Sequence, residues 1–341
     1  MRLFREAILA LMIVSSAPAA AGGIIDVHSH PVFAEQVERL EQHGAALAET
    51  FPLPAYDVQR HLAFMDKAGI GTSLLSMPPP NPYFDDREEA RKAAREFNTR
   101  CAAIKRQYPG RFLYCAALPL PDVEGAVAEA AFALDQLDAD CVKIATNSRG
   151  LYLGDPALDP LMAALNEREA VIVTHPHRPE PVNAELIRVT PLPVSEYLAE
   201  TTRAVLNLLS RNVLATWPGV KVVVPHCGAY LPLAVPRAKA LLPAMKKAGL
   251  MDDIDWEGNL AGLYFDVAGT PSAEAVRELL KIGDASHILY GSDFPYQPEG
   301  VLLTNIDFLK KDLGADKELA PLVDDILEGN ARRLFGLGEA G

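Results

Sequence analysis

Eight short runs of apolar residues recur along the chain, and patterns typical of helices separate most of them. The runs are continuous rather than alternating, as expected of parallel strands that are covered on both faces. They occupy residues 24–28, 72–77, 112–118, 141–146, 171–175, 221–226, 263–267 and 287–292. The helical patterns include residues 86–107, 123–137, 160–168, 195–217 and 273–282. Strand and helix alternating eight times predicts a closed parallel (β/α)₈ barrel, the TIM-barrel fold.

No linker rich in glycine or serine divides the chain, so we interpret residues 22–341 as a single barrel domain. Three segments exceed the minimal strand–helix repeat: residues 31–55, 178–193 and 229–260. Each follows the C-terminal end of a predicted strand, where barrel enzymes carry their active-site loops. We therefore expect the functional site at this end of the barrel.

Residues 1–21 have the pattern of a secretory signal peptide. Arg2 and Arg5 precede an apolar run over residues 7–14, and small residues follow it. This predicts export to the periplasm or the exterior, whereas a start at Met12 would leave a cytoplasmic protein. The apolar run is too short to cross a bilayer. Elsewhere in the sequence no apolar stretch is long enough for a membrane span, so no membrane association is expected.

Composition excludes one class of partner. Of the 341 residues 49% are hydrophobic, which allows a large core. The formal net charge of −13 argues against nucleic acid as a partner, since binding its backbone needs clustered basic residues.

The four cysteines, Cys101, Cys115, Cys141 and Cys227, have no CxxC spacing. This predicts buried free thiols, since cysteine behaves as a small apolar residue. In an exported protein a Cys101–Cys115 bridge is the open alternative.

Potential metal ligands stand at the ends of several predicted strands. His28 and His30 are two residues apart, so an extended chain points them to the same side. His175 ends the fifth run, and Asp293 follows the eighth. Because the C-terminal ends of all barrel strands meet at one mouth, these four residues are expected to bind one divalent cation. Three imidazole nitrogens and one carboxylate oxygen predict zinc, with manganese as the alternative.

Further residues at the same end are candidates for chemistry or substrate binding. His226 ends the sixth run and is predicted to act in acid/base catalysis or substrate polarisation, with a role as a fifth ligand left open. Asp26 is expected to orient a ligand histidine. Arg149 and Arg178 are candidates for pairing with a substrate carboxylate or are solvated loop charges.

The remaining histidines receive simpler predictions. His177 either contacts the substrate or caps its loop, and His43 and His61 are expected at the surface.

Several motifs together resemble the amidohydrolase superfamily, and within it the branch that contains 2-amino-3-carboxymuconate-6-semialdehyde decarboxylase. They are Asp-Val-His-Ser-His at 26–30, Tyr-Leu-Gly-Asp-Pro at 152–156, His-Pro-His at 175–177, His-Cys-Gly-Ala-Tyr-Leu-Pro at 226–232 and Tyr-Gly-Ser-Asp-Phe-Pro at 290–295. Glu-Thr-Thr-Arg at 200–203 is similar to the subgroup of 6-methylsalicylate decarboxylases.

The resemblance implies one catalytic metal at the positions of His28, His30, His175 and Asp293, with His226 catalytic. We expect a non-oxidative decarboxylase of a small hydroxylated aromatic or dienoic carboxylate, in which Asp293 or His226 delivers the proton. The alternative is a hydrolase of a lactone, amide or ester that uses metal-activated water.

The resemblance also bears on the role of Lys143 and on the oligomeric state. In binuclear hydrolases of the superfamily a strand-4 lysine is carboxylated and bridges two metals, whereas here Lys143 either does so or forms a buried ion pair. The resemblance also suggests a homodimer.

Overall fold

Eight parallel strands form the centre of the computed structural model, which describes residues 22–50, 52–81, 83–181 and 189–338. The predicted signal peptide, residues 1–21, lies outside them. The strands, in their order around the sheet, are β1 Ile24–Ser29, β2 Ile70–Leu75, β3 Phe112–Ala117, β4 Cys141–Ala145, β5 Val171–His175, β6 Lys221–Val224, β7 Leu263–Asp266 and β8 Ile288–Leu289. The predicted TIM-barrel fold is confirmed.

The barrel closes between β8 and β1 through residues that flank the metal-ligand candidates. The backbone N–H of Val27 donates to Tyr290 O at 2.9 Å, and that of Asp293 donates to His28 O at 2.8 Å. A parallel bridge then joins Ser29 to Phe294. Closure therefore places the segment after β8 directly beside the end of β1.

Helices surround the strands. They are α1 Ala34–Gln42, α2 Val58–Ala68, α3 Arg87–Gln107, α4 Val123–Gln136, α5 Asp159–Asn166, α6 Glu196–Ser210, α7 Val213–Thr216, α8 Leu231–Lys247, α9 Trp256–Leu260, α10 Ala273–Leu279, α11 Glu299–Ala315 and α12 Asn330–Leu334. Asp86 caps α3 by accepting from the backbone N–H groups of Glu88 and Glu89, which explains where that helix begins. Among the helices of the described ranges, none is both long and apolar enough to cross a membrane.

Local structure departs from the sequence pattern in two places. Residues 195–217 form two helices, α6 and α7, because Asn212 adopts a left-handed φ of 54° between them. The segment 229–260, predicted as an insertion after β6, contains α8 and α9. It still follows the C-terminal end of its strand, as predicted.

Apolar residues form two clusters. The larger one packs the outer helices against the barrel. The smaller one lies inside the barrel, because strands from every part of the sheet contribute to it: Ile25, Val27, Leu74, Leu113, Cys115, Cys141, Val171, Val173, Val223 and Leu289. Ala331 of α12 also belongs to this cluster.

A disulfide inside the barrel corrects the prediction for the cysteines. Cys115 and Cys141 are bonded to each other, while Cys101 and Cys227 are free. The expected free thiols at 115 and 141, and the alternative Cys101–Cys115 bridge, are therefore wrong. The reason is register: Cys115 on β3 lies opposite Cys141 on the adjacent strand β4.

His61 is also corrected. Its side chain is fully buried and stacks on the Phe294 ring at 4.5 Å, and its Nδ1 lies 3.2 Å from the Tyr56 hydroxyl oxygen. The expected surface position is wrong because α2 turns this residue inward. His43, in contrast, is exposed as predicted.

Candidate active site

Four side chains converge at the mouth of the barrel. His28 and His30 come from β1 and the residue after it, His175 ends β5, and Asp293 follows β8. One ligand atom from each lies within 4.8 Å of all the others. Nε2 of His28 and Nε2 of His30 are 3.1 Å apart, and Oδ1 of Asp293 is 3.5 and 3.2 Å from them. The sequence therefore located the four members of this group correctly.

The three imidazole rings are oriented through their Nδ1 atoms. Each Nδ1 contacts an oxygen that only accepts: Asp266 Oδ2 at 2.8 Å for His28, Ser76 O at 3.1 Å for His30, and Pro176 O at 2.9 Å for His175. In the neutral form of each ring Nδ1 then carries the hydrogen, and the Nε2 lone pair is directed at the shared point. Such outer partners are typical of histidines that bind metals.

The electrostatics of the group favour a cation. Burial lowers the pKa of both His30 and His175, which keeps these rings neutral. Burial also acts to lower the pKa of His28, but the carboxylates of Asp266 and Asp293 outweigh it and raise the pKa to about 9. Two buried carboxylates, Asp266 near Nδ1 and Asp293 near Nε2 of His28, thus favour positive charge in this group.

A missing partner supports the same conclusion. Oδ1 of Asp293 is buried and has no hydrogen-bond partner among the described residues. An unpaired buried carboxylate oxygen is costly unless a donor or a metal satisfies it. The donor set and the free oxygen therefore fit one divalent cation.

Gly291 allows the close approach of strands that builds this site. A Cβ at this position would lie 2.7 Å from Cβ of His28 and 3.2 Å from Cγ of Asp266. Any larger residue would displace the oriented ring. The tight contact explains why glycine precedes Ser292 and Asp293 here.

His226 lies beside the four ligands. Its Nε2 is 3.8 Å from Oδ2 of Asp293, and its backbone N–H donates to Oδ1 of Asp266 at 3.0 Å. His226, Cys227, Gly228 and Ala229 all have positive φ angles, a conformation that places the ring after β6 and is sparsely populated outside functional sites. The position of His226 beside Asp293 suits acid/base chemistry.

Asp266 is the functional residue that sequence reasoning missed. It is fully buried at the end of β7 and contacts both His28 and His226. The available signal was an apolar run, Leu-Tyr-Phe at 263–265, that ends in a carboxylate.

Asp26, which was expected to orient a ligand histidine, contacts His28 through the backbone. Its carboxylate accepts from the Ser292 hydroxyl at 2.6 Å, the Ser73 hydroxyl at 3.2 Å and the backbone N–H of His28 at 3.1 Å. Burial, opposed by these hydrogen bonds, raises the pKa of Asp26 to about 6. Asp26 therefore ties β1 to its neighbours and holds the backbone of His28, while Asp266 contacts the His28 ring.

The structure brings the three candidate substrate-binding residues together. Arg149, His177 and Arg178 line one cavity of about 380 Å³. Both oxygens of Asp85 accept from Arg149 at 3.0 Å, and Arg178 lies 3.7 Å from Glu180. The two arginines thus already have carboxylate partners, and their contact with a substrate stays a prediction.

Lys143 is buried on β4. Its Nζ donates to Oδ1 of Asn81 at 2.9 Å and lies 3.0 Å from Nε2 of His177. Burial lowers the pKa of Lys143 to about 7, although the charge of Glu49 opposes this. The contacts of Lys143 are thus with an amide and an imidazole.

Residues 25–337 match the sequence profile of a protein family described as amidohydrolase. The chain belongs to the amidohydrolase family. It is 32% identical to a 6-methylsalicylic acid decarboxylase of Aspergillus aculeatus, over 91% of the chain and 95% of that protein.

Two solved structures are similar to this protein. A protein named amidohydrolase II is 31% identical, with a TM-score of 0.83 over 92% of this chain and 99% of that one. The 5-carboxyvanillate decarboxylase of Novosphingobium aromaticivorans, in complex with manganese and 4-hydroxy-3-methoxy-5-nitrobenzoic acid, is 19% identical. Its TM-score is 0.80, over 94% of this chain and 99% of that one. The second similarity concerns the fold.

Proposed function

We propose that this protein is a metal-dependent, non-oxidative decarboxylase of a small hydroxylated aromatic carboxylate. The observation that carries the proposal is the convergence of His28, His30, His175 and Asp293 on one point, with His226 beside them. The similarity to a 6-methylsalicylic acid decarboxylase over nearly the whole chain supports this reaction class.

We propose one divalent cation per chain, held by the same four side chains. Three imidazole nitrogens and one carboxylate oxygen suit zinc, whereas the 5-carboxyvanillate decarboxylase of similar fold binds manganese. Elemental analysis of the purified protein distinguishes the two. Two tightly bound metals per chain, with loss of one in Lys143→Ala, would contradict a mononuclear site.

The residues around Asp293 account for the proton that decarboxylation requires. A bound divalent cation supplies positive charge that holds the substrate carboxylate with a neighbouring hydroxyl oxygen and stabilises negative charge in the transition state. Burial acts to raise the pKa of Asp293, but His226, His30 and His28 hold it well below its usual range. The Asp293 carboxylate is therefore ionised, and we assign delivery of the proton to His226, whose Nε2 lies 3.8 Å from Oδ2 of Asp293.

The reaction balances with this single proton. The bond between the ring carbon and the carboxylate breaks and CO₂ leaves. The electron pair that stays on the ring carbon takes the proton from His226, which solvent then reprotonates. No oxidant is needed.

Product analysis tests the reaction class. The metal-loaded protein is incubated with 6-methylsalicylate, other 2-hydroxybenzoates, lactones, amides and esters, and CO₂ and organic products are measured. We expect CO₂ with one equivalent of the phenol, which carries one deuterium when the solvent is D₂O. Hydrolysis products without CO₂ would instead favour a hydrolase that uses metal-activated water.

A bound inhibitor tests the substrate pose. A nonreactive aromatic ortho-hydroxy acid is expected to inhibit competitively and to coordinate the metal through carboxylate and hydroxyl. A crystal structure with the compound bound only at Arg149 or Arg178 would argue for the hydrolase.

We also propose that the protein is exported. Residues 1–21 have the signal-peptide pattern, and the Cys115–Cys141 disulfide suits an oxidising compartment. Cell fractionation and the mass of the mature N-terminus test this. A cytoplasmic protein that retains residues 12–21 would contradict export.

A further inference from the structure

His175 reaches the metal site from the side of the barrel opposite to the other three ligand candidates. His28 and His30 come from the end of β1 and Asp293 follows β8, and these two strands meet where the barrel closes. His175 ends β5, which lies four strands away from β1 in the sheet. The contacts that set the distance across the mouth therefore decide whether all four side chains can bind one cation.

Glu49 connects these two sides. It belongs to the segment after β1, yet its Oε2 accepts from the backbone N–H of Arg178, in the segment after β5, at 3.0 Å. The same oxygen accepts from the Tyr197 hydroxyl of α6 at 2.8 Å. Oγ1 of the next residue, Thr50, accepts from the backbone N–H of Leu192 at 3.2 Å. Two consecutive residues from the β1 side thus hold the segment after β5 at two points.

Tyr197 carries the contact of Glu49 to a metal-ligand candidate. The ring of Tyr197 lies edge to face with the ring of His175, with the centroids 6.1 Å apart and the planes at 81°. Tyr197 is 5% exposed and Glu49 is 3% exposed, so their hydrogen bond is shielded from solvent. Because this bond fixes the hydroxyl, the Tyr197 ring restricts the positions that the His175 ring can take.

The backbone that follows His175 is fixed as well. Nδ1 of His175 lies 2.9 Å from Pro176 O, so the path of this backbone decides where the imidazole points. Glu49 accepts from the N–H of Arg178, and Nδ2 of Asn147 donates to the carbonyl oxygen of Arg178 at 3.0 Å. Side chains from two other loops thus satisfy both backbone groups of Arg178.

The burial of Glu49 argues for a specific role. A carboxylate in a buried position loses its solvation, and glutamates are seldom buried without partners. Burial raises the pKa of Glu49, although the hydrogen bonds from Tyr197 and Arg178 oppose this. A carboxylate accepts stronger hydrogen bonds than a neutral oxygen does, which suits a group that holds two partners with one atom.

We infer that Glu49 is a positioning residue for His175. From the segment after β1 it holds the Tyr197 ring and the Arg178 backbone, and it thereby sets the distance between the two sides of the metal site. The inference rests on the metal site of the proposed function, and it adds a residue that lies outside the four ligand candidates and His226.

Loading with Co²⁺ tests the inference without turnover. Bound Co²⁺ has visible absorption bands that depend on the geometry of its ligands, and competition with a chelator measures its affinity. We expect Glu49→Ala to change these bands and to bind Co²⁺ about 10-fold more weakly, the lower end of the effect of losing a partner that orients a metal ligand. Glu49→Gln keeps an acceptor oxygen and should stay within about 3-fold of wild type.

A double-mutant cycle tests the path through Tyr197. Tyr197→Phe keeps the ring but removes the hydroxyl, so its loss of Co²⁺ affinity should be smaller than that of Glu49→Ala. Because the hydroxyl acts through Glu49, the double variant Glu49→Ala/Tyr197→Phe should bind Co²⁺ as weakly as Glu49→Ala alone.

Glu129→Ala is the matched control for the loss of a buried glutamate. Glu129 is 5% exposed, and its carboxylate accepts from Asn98 at 2.8 Å and from Arg95 at 2.9 Å, between α3 and α4. This variant should lose thermal stability and keep the Co²⁺ bands and affinity of wild type. Thermal unfolding of each metal-free variant shows whether it folds. If Glu49→Ala does not fold, Glu49→Asp, which retracts the carboxylate by one methylene group, replaces it in the same comparison.

The inference is overturned if Glu49→Ala keeps the bands and the Co²⁺ affinity of wild type, or if Glu49→Gln is impaired as much as Glu49→Ala. If wild type binds no Co²⁺, the proposed metal site fails. The NMR signal of the His175 ring N–H in metal-free, isotope-labelled protein then decides: a shift in Glu49→Ala but not in Glu129→Ala supports positioning, and an unchanged signal in both overturns it. CO₂ release is measured separately, and its absence contradicts the proposed reaction alone.

Discussion

Nδ1 of His28 lies 2.8 Å from Oδ2 of Asp266, so a ring from the first strand is oriented by a carboxylate from the seventh. The same carboxylate accepts from the His226 backbone through its other oxygen, at 3.0 Å. One buried acid therefore fixes both a metal-ligand candidate and the acid/base candidate.

Replacing Asp266 should weaken metal binding. In Asp266→Asn the amide no longer offers the charge that orients His28, and loss of such outer partners typically lowers metal affinity by about 10- to 100-fold. Competition with a chelator measures the affinity. Asp252→Asn, at an exposed position, is the control and should bind metal as wild type does. Equal metal affinity in Asp266→Asn and wild type would show that Asp266 does not support the metal site.

Replacing His226 should affect catalysis more than metal binding. His226 lies outside the group of four ligand atoms, and acid/base groups contribute about 10²- to 10⁴-fold to rate. We expect His226→Asn to lower kcat by about 10² or more with metal content unchanged. Steady-state kinetics and elemental analysis are measured on the same sample. Loss of the metal would instead make His226 a ligand.

Lys143 should make stability depend on pH. Its pKa is lowered from 10.5 to about 7 by burial. Below that value both the folded and the unfolded chain carry the proton, and the folded chain bears the full cost of the buried charge. Between about pH 7 and 10.5 only the unfolded chain binds it, so the free energy of unfolding rises with pH.

Urea unfolding of wild type and Lys143→Met measures this contribution. Within that window the free energy of unfolding of wild type should rise, relative to that of the variant, by up to about 1.4 kcal/mol per pH unit. Lys105→Met is the control, and its difference from wild type should not follow this curve. Parallel profiles for wild type and Lys143→Met would show that Lys143 titrates at the same pH in both states.

The cysteines should differ in reactivity and in their effect on stability. Because Cys115 and Cys141 are bonded, thiol titration in denaturant should find two thiols before reduction and four after it. The bridge spans 26 residues, for which loop closure predicts a loss of about 3.5 kcal/mol in a Cys115→Ala/Cys141→Ala variant. Cys101→Ala is the control, with a smaller expected loss. Four thiols before reduction would contradict the bridge.

The sequence predicted the barrel well because its strands are buried on both faces and read as continuous apolar runs. It also placed His28, His30, His175 and Asp293 together, because strand ends in a barrel share one mouth. These predictions depend on periodicity and topology, which the sequence carries directly.

Contacts between particular side chains were harder to predict. Asp26 and Asp266 both belong to strands near the mouth, and only the three-dimensional register decides which of them reaches the His28 ring. The Cys115–Cys141 bridge likewise depends on the exact alignment of β3 with β4. His61 was misplaced because a polar ring can be buried when aromatic neighbours such as Phe294 cover it.

The junction between β8 and β1, where the barrel closes, links metal binding to folding. Asp293 donates its backbone N–H to His28 O across this junction, and Ser29 bridges to Phe294. These contacts join residues from opposite ends of the chain, so they form only when nearly all of the barrel is assembled. A cation shared by His28, His30 and Asp293 would link the two ends at the same place. Metal uptake would then report on completion of the barrel, and a chain that stops before residue 293 would lose the site and the closure together.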